Sequence, residues 1–162
     1  MTFSIATLCD TYWGGSHNLQ IADPVFKNFG GIQLFSGQIT TLKTFEDSVI
    51  IGKILSEKVE NRILVIDGGG SHRCALIDFN LARIATDNGW GGIVVYGCIR
   101  ESALIAKLPI GLLALHTHPL HCNKKEQGDR DLLISFAGIN FKKDSFLYAD
   151  MDGMIVSDSM LS

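Results

Sequence analysis

The sequence predicts an α/β fold in which a mixed sheet is flanked by helices. Ile63 to Ile66 and Gly92 to Gly97 are short, apolar and rich in β-branched residues, which is typical of buried strands. A helical pattern lies between them, whereas Phe136 to Val156 contains consecutive strand patterns without a helix. Alternating units followed by consecutive strands indicate a sheet with both parallel and antiparallel neighbours.

The N-terminal part of the chain predicts one strand between two helices. Residues 1–12 have the pattern of a short helix or cap, and the alternating run Ile32 to Phe35, bounded by glycines, is typical of a half-buried strand. Asp47 to Val59 has the three-and-four spacing of an amphipathic helix. Its apolar residues are Val49, Ile50, Ile54, Leu55 and Val59.

The central part predicts a β-α-β unit. The strand Ile63 to Ile66 is followed by a run of glycines, Gly68 to Gly70. Asp78 is suited to cap the next helix, and Gly89 stands where a C-terminal cap belongs. The residues predicted to share one face of that helix are Leu81, Ile84, Ala85 and Asn88. The strand Gly92 to Gly97 completes the unit.

The remaining chain continues this alternation and then changes to strands. A short helix is predicted at Ser102 to Lys107 and a strand at Gly111 to His116. The polar stretch Asn123 to Asp131 is predicted to be one loop. Phe146 to Val156 has the pattern of a hairpin that turns at Asp152-Gly153.

Composition limits the class of protein and its partners. A chain of 162 residues suits a single domain spanning residues 1–162. The net charge of -3 gives no electrostatic reason to bind nucleic acid directly. No apolar run approaches the roughly 18 residues of a membrane span, and the N-terminus lacks a secretory pattern, so we expect a cytoplasmic protein.

Two motifs could be functional, but each also has a purely structural explanation. Gly68 to Gly70 after a strand suggests nucleotide binding, but the full glycine fingerprint is missing and a tight turn explains the glycines equally well. The cluster His116, His118, His121 and Cys122 suggests a zinc site, but it has no matching remote ligand pair. We expect hydrogen-bonded histidines there. We also expect all four cysteines, which include no C-x-x-C pair, to be free thiols.

The strongest candidate site combines Arg100, Glu101 and the helix start at Asp78. Arg100 and Glu101 follow a buried strand at its carboxyl end, where open α/β sheets bind ligands. A guanidinium suits a carboxylate or enolate, and a neighbouring acid suits a hard divalent cation. From spacing alone a surface ion pair remains the alternative for this pair. Asp78 in turn could simply cap its own helix.

The chain resembles the RraA family over nearly its whole length. The motifs that carry the resemblance are Leu8-Cys9-Asp10, Phe29-Gly30-Gly31, Phe45-Glu46-Asp47, Val65 to Ser71, Asn88-Gly89-Trp90, Val94 to Arg100, Leu147 to Asp150 and Asp152-Gly153. The resemblance implies a swivelling β/β/α-type domain assembled as a homotrimer. It also implies one of two functions. These are metal-dependent cleavage of 4-hydroxy-4-methyl-2-oxoglutarate to pyruvate, with secondary oxaloacetate decarboxylation, or binding and inhibition of ribonuclease E.

The resemblance also assigns roles by position. Arg100 is implied to contact the pyruvoyl oxygens as the catalytic residue, and Glu101 is implied to anchor a divalent cation, with Mg²⁺ or Mn²⁺ favoured. Backbone amides at the helix start are implied to hold the substrate carboxylate, namely those of Asp78, Phe79, Asn80 and Leu81. Enzymes of the family usually have Arg-Asp in place of Arg100-Glu101 and Gly-Asp in place of Asp78-Phe79. Asp78 is a candidate to replace the acid missing at Phe79.

Overall fold

The computed structural model describes residues 2–161 and confirms the α/β class. Its helices are α1 (Ile5–Tyr12), α2 (Val49–Leu55), α3 (Phe79–Asp87) and α4 (Ser102–Ile105). Its strands are β1 (Gln20–Ile21), β2 (Lys27–Asn28), β3 (Phe35–Lys43), β4 (Ile63–Asp67), β5 (Ala75–Ile77), β6 (Gly92–Ile99), β7 (Gly111–Thr117), β8 (Asp129–Arg130), β9 (Ile134–Phe136), β10 (Ile139–Phe141), β11 (Phe146–Asp150) and β12 (Gly153–Ser157). No helix in the described part of the chain is long and apolar enough to span a membrane.

The main sheet is mixed, as the sequence predicts. Its strand order is β1-β12-β11-β3-β4-β6-β7-β2, with β5 beside β6 and β8 beside β3. The central strands β3, β4, β6 and β7 run parallel to one another. Strands β11 and β8 pair antiparallel with β3, β2 pairs antiparallel with β7, and β12 pairs antiparallel with β11 and β1. Strands β9 and β10 form a separate hairpin. The parallel strands therefore direct their carboxyl ends, including that of β6, to one edge.

The core has two sides because neighbouring residues of a strand point to opposite faces of the sheet. On β4, Leu64 and Ile66 pack in the cluster that contains the helices α2 and α3. Ile63 and Val65 pack instead in the cluster formed with β9 to β12. All four are fully buried. Helices α2, α3 and α4 on one face and a second β layer on the other correspond to the expected β/β/α arrangement, while α1 packs separately against β11 and β12.

Several element boundaries differ from the prediction. The first long strand begins at Phe35, where the predicted run Ile32 to Phe35 ends, and it continues to Lys43. Helix α2 begins at Val49, whose amide donates to Oδ1 of Asp47 at 3.0 Å, while Oδ2 of Asp47 accepts hydrogen bonds from loop amides, including that of Gln127 at 2.8 Å. The predicted loop Asn123 to Asp131 is consequently fixed and contains β8.

The glycine run forms a tight turn rather than the start of a nucleotide site. Gly69 and Gly70 both have a φ of +71°, which favours glycine. A Cβ on Gly68 would lie 2.6 Å from the Leu76 side chain. The turn leads into β5, whereas a glycine fingerprint for phosphate leads directly into a helix.

The expectation of four free thiols is wrong. Cys74 and Cys122 form a disulfide, with their Cα atoms 4.9 Å apart, while Cys9 and Cys98 are free. The pairing arises because Ala75, at the start of β5, forms a bridge with His121 and brings two distant segments together. Short non-local pairing of this kind leaves no periodic pattern in the sequence.

Candidate functional site

Arg100 lies directly after β6, at the carboxyl edge of the parallel strands. Its backbone amide donates to the Ile77 carbonyl at 2.9 Å, which fixes the start of the side chain beside β5. One guanidinium nitrogen, Nη1, donates to the Pro119 carbonyl at 3.4 Å. The Nε atom is buried and has no hydrogen-bond partner among the described residues. An unpaired buried donor is costly, so an acceptor that reached Nε would stabilise the protein, although reaching it requires local movement.

Glu101 turns the chain sharply and directs its carboxylate to helix α3. Its backbone is left-handed, with φ 59° and ψ 39°, a conformation that is unfavourable for a residue with a Cβ. Its Oε1 atom accepts a hydrogen bond from the Phe79 amide at 3.2 Å. Strained backbone of this kind is often found at functional sites. Glu101 therefore connects the end of β6 to the start of α3.

The start of α3 confirms Asp78 as a cap and shows which amides are already bonded. The Asp78 carboxylate accepts from the Leu81 amide at 2.9 Å, and Glu101 accepts from the Phe79 amide. Within residues 2–161, the Asn80 amide has no acceptor, while its side chain accepts from Arg83 at 2.8 Å. Of the amides expected to face a substrate, those of Phe79 and Leu81 are thus bonded to the protein's own carboxylates.

The Phe79 side chain is directed towards the core. It is partly buried and packs against the hydrophobic cluster that α2 and α3 share with the sheet. The ring therefore supplies no polar group to the site, and only its backbone amide faces Glu101. The structure brings Arg100, Glu101 and the start of α3 together, as their positions in the sequence predict.

The sequence-based prediction missed the contribution of residues 118–122. The Nε2 atom of His121 lies 3.6 Å from the Asp78 carboxylate, and both side chains are largely buried. Its Nδ1 atom lies 2.8 Å from the Cys122 carbonyl. The dense run of histidines was a signal that this segment matters, but it pointed to zinc rather than to Asp78.

The structure does not support that zinc hypothesis. Among the described residues, no group of three or more His, Cys, Asp and Glu side chains is placed to hold a metal ion. Cys122 is in a disulfide, the His116 ring packs against His72 with centroids 4.9 Å apart, and His118 accepts a hydrogen bond from the Leu120 amide. The expectation of hydrogen-bonded histidines is confirmed for His118, while the His116 side chain is exposed and makes a ring contact.

The donor set suits a hard divalent cation better than zinc. Glu101 and Asp78 offer carboxylate oxygens near the same helix start, and each already accepts one backbone amide. Mg²⁺ commonly uses one or two carboxylates, keeps several waters and binds substrate oxygens. Structural zinc requires four ligands, usually Cys or His. Two carboxylates near one helix start are too few for structural zinc, and they are ligands of the kind that Mg²⁺ and Mn²⁺ use.

The site is open rather than enclosed. Glu101 is exposed and Arg100 is half-buried. A cavity of about 640 Å³ is lined by residues of α1, β2 and the turn between β11 and β12, and neither Arg100 nor Glu101 lines it. A second cavity of about 390 Å³ lies near Phe45 and Gln127, again without Arg100. The candidate site therefore lies outside both of these cavities.

Comparison with known proteins agrees with the fold and its motifs. A family model described as RraA-like, aldolase/RraA, matches residues 5–156. Relatives from Methylococcus capsulatus and Laribacter hongkongensis are 56% and 49% identical over 161 residues, covering 99% of each chain, and their names provisionally assign 4-hydroxy-4-methyl-2-oxoglutarate aldolase activity. The structure of the RNA-processing inhibitor RraA from Thermus thermophilis has a TM-score of 0.94 and 38% identity, covering 100% of this chain and 96% of that one. The chain therefore belongs to the RraA-like family.

Proposed function

We propose that this protein is a divalent-metal-dependent 2-oxo acid lyase. Its proposed reaction is cleavage of 4-hydroxy-4-methyl-2-oxoglutarate to pyruvate, with oxaloacetate decarboxylation as a secondary activity. The observation that carries the proposal is the buried, unpaired Nε atom of Arg100, beside Glu101 and the start of α3. The provisional aldolase names of the relatives support the same chemistry.

Both proposed substrates carry a 2-oxo carboxylate and react through the same intermediate. The bond between C3 and C4 breaks, and its electron pair moves to C3 and the 2-oxo oxygen to give pyruvate enolate. In the aldol substrate the C4 hydroxyl loses its proton and becomes the carbonyl of a second pyruvate. In oxaloacetate, C4 leaves as carbon dioxide. Protonation of the enolate at C3 yields pyruvate in both cases.

Arg100 is suited to stabilise this enolate. Its guanidinium is permanently charged and planar, and donors placed where negative charge develops are among the largest contributions to catalysis. In this proposal Nε donates to the developing oxyanion while Nη1 remains held by the Pro119 carbonyl. Because Nε is buried in the free chain, substrate binding must be accompanied by local movement that exposes this donor.

Glu101 and the start of α3 are proposed to orient the substrate. Glu101 would hold Mg²⁺ or Mn²⁺, which when bound supplies Lewis-acid polarisation of the 2-oxo group. The Asn80 amide, which has no acceptor among the described residues, is proposed to bind the substrate carboxylate together with the positive end of the helix. The Phe79 amide joins it only when Glu101 releases its hydrogen bond. The Glu101 carboxylate is thus proposed to bind either the Phe79 amide or the cation.

We further propose that the working form is a cytoplasmic homotrimer. The candidate site is open in the single chain, since Glu101 is exposed, and a neighbouring subunit would supply the missing wall. Exclusion of water strengthens electrostatic interactions of the kind assigned to Arg100. Assembly and activity are therefore expected to be linked.

The direct experiment is pyruvate release from each substrate, measured with added Mg²⁺ or Mn²⁺ and with chelator. Arg100→Ala is expected to lower kcat/KM at least about 100-fold, as loss of an oxyanion donor does elsewhere. Arg130→Ala is the matched control, because Arg130 pairs with Glu57 away from this site and its loss should leave turnover unchanged. Turnover that is independent of the metal, or turnover that is independent of Arg100, would exclude the proposed mechanism.

A second candidate function is inhibition of ribonuclease E by direct binding. It is favoured by the close structural match to the Thermus RNA-processing inhibitor and by Phe79, which places an aromatic ring where the enzymes of the family usually have an acid. Such binding would use protein contacts, because the chain carries a net charge of -3. Saturable binding to purified ribonuclease E, with inhibition of RNA cleavage and no pyruvate release, would favour this function.

A further inference from the structure

We propose that the Cys74–Cys122 disulfide holds Arg100 and Asp78 in position at the candidate site. Thiol reductants that cleave this disulfide are therefore expected to weaken substrate binding. The proposal rests on the proposed lyase function. It concerns the link between the disulfide and two groups already described, Arg100 and Asp78.

The disulfide fixes residues 118–122 beside β5. The Ala75 amide donates to the Leu120 carbonyl at 2.7 Å, and the Cys122 amide donates to the Ala75 carbonyl at 3.0 Å. The His118 amide donates to the Ile99 carbonyl at 2.9 Å, at the end of β6. Three backbone hydrogen bonds and the disulfide together attach this segment to β5 and to the end of β6.

This segment contacts both sides of the candidate site. The Pro119 carbonyl accepts from Arg100 Nη1, and the His121 ring lies beside the Asp78 carboxylate. On the other side of the disulfide, β5 runs from Ala75 to Ile77 and leads directly to Asp78. The disulfide therefore links the segment that leads to Asp78, the cap of α3, with the segment whose Pro119 carbonyl binds the Arg100 guanidinium.

The disulfide is not needed to build the core. The described residues form extensive apolar clusters on both faces of the sheet, and domains of this size fold without cross-links. In the proposed cytoplasmic setting, disulfides are rare and are usually transient, catalytic or redox-sensing. Both cysteines pack in the apolar cluster between the helices and the sheet, and the segments next to them reach Asp78 and Arg100, which favours a positioning role.

The exchange reaction requires a dithiol or two monothiols. A reductant thiolate attacks one sulfur of the Cys74–Cys122 bond and forms a mixed disulfide, and a second reductant thiolate releases it. Two electrons and two protons pass to the cysteines, which become thiols, and the reductant becomes a disulfide. Both cysteines are buried, so attack needs local opening. Leu120 next to them is exposed, and this segment is where opening is expected.

The test compares oxidised protein with protein reduced by dithiothreitol. Amide hydrogen exchange is measured without substrate, and kcat and KM are measured for oxaloacetate with Mg²⁺. We expect exchange at Ala75 and Cys122 to become at least tenfold faster, with a smaller increase at Leu81 and Arg100. We also expect KM to rise at least fivefold. Simple loss of folded protein would instead lower the apparent kcat and leave KM unchanged.

Two variants complete the experiment. The double variant Cys74→Ser/Cys122→Ser should match the reduced protein and should not respond to dithiothreitol, whereas Cys9→Ser should behave as wild type in both states. If the double variant does not fold, the reduced wild-type protein supplies the same comparison. Unchanged exchange at Leu81 and Arg100 after complete reduction overturns the proposal. Because exchange needs no turnover, a protein without lyase activity still gives a decisive result, and its inactivity counts only against the proposed function.

Discussion

Substitutions of Glu101 distinguish the free-energy cost of its left-handed backbone from the contribution of its carboxylate to stability and turnover. The left-handed conformation costs a residue with a Cβ about 1–2 kcal/mol relative to glycine, and the bond to the Phe79 amide contributes about 0.5–1.5 kcal/mol. Glu101→Ala keeps the strain and loses the bond, so we expect a loss of about 1 kcal/mol. Glu101→Gly also loses the bond and raises the entropy of the unfolded chain, but it relieves the strain, so we expect it to be about 1 kcal/mol more stable than Glu101→Ala.

The glycine variant should therefore unfold at a higher temperature than the alanine variant, by about 2–4 °C for a chain of this size. Glu101→Gln keeps both the backbone conformation and an acceptor oxygen, so its stability should match wild type within about 0.5 kcal/mol. All three variants remove the negative charge proposed to hold the cation. We expect each of them to lose Mg²⁺-dependent pyruvate release.

Thermal unfolding by circular dichroism and pyruvate release measure these two effects independently. An alanine variant as stable as the glycine variant would refute the argument from backbone strain. Full metal-dependent turnover by Glu101→Gln would refute the assignment of Glu101 as the cation anchor. The only role left for the Glu101 side chain would then be its hydrogen bond to the Phe79 amide.

Three further predictions concern the cap, the thiols and an ion pair. Asp78→Ala should lower the free energy of unfolding by about 1 kcal/mol, because the Leu81 amide loses its capping acceptor. Asp78→Asn keeps an acceptor oxygen and should retain most of this stability, and chemical denaturation measures the difference. Unfolded protein should titrate two thiols before reduction and four after it, as counted with a chromogenic disulfide reagent. Hydrogen bonds from Arg130 lower the pKa of Glu57, so their pair stabilises the fold above the ordinary glutamate pKa, about 4.3, and loses this as pH falls below that value. The stability difference between wild type and Arg130→Ala should accordingly shrink on acidification, by a small amount because both side chains are partly exposed.

The central fold could be predicted because its residues follow regular patterns. Leu64 and Ile66 lie on one face of β4 and Ile63 and Val65 on the other, and a strand buried on both faces has a continuous apolar sequence. Asp78 could be predicted as a cap because its role depends only on residues three positions away.

The details of the site could not be predicted in the same way. Arg100 was placed by its position after a buried strand, but the contact between Glu101 and Phe79 depends on a left-handed residue that is not glycine. The disulfide depends on a three-residue strand and a single bridge between distant segments. Neither produces periodicity, and each is determined by tertiary packing.

The function of Arg100 is tested most directly by pyruvate release from 4-hydroxy-4-methyl-2-oxoglutarate by wild type and Arg100→Lys. Lysine keeps the positive charge but lacks the buried Nε donor on which the assignment depends. We predict Mg²⁺-dependent release by wild type, abolished by chelator, and a kcat/KM at least about tenfold lower for Arg100→Lys. Equal kcat/KM for the two proteins, or release by wild type that persists in chelator, would contradict the proposed lyase mechanism.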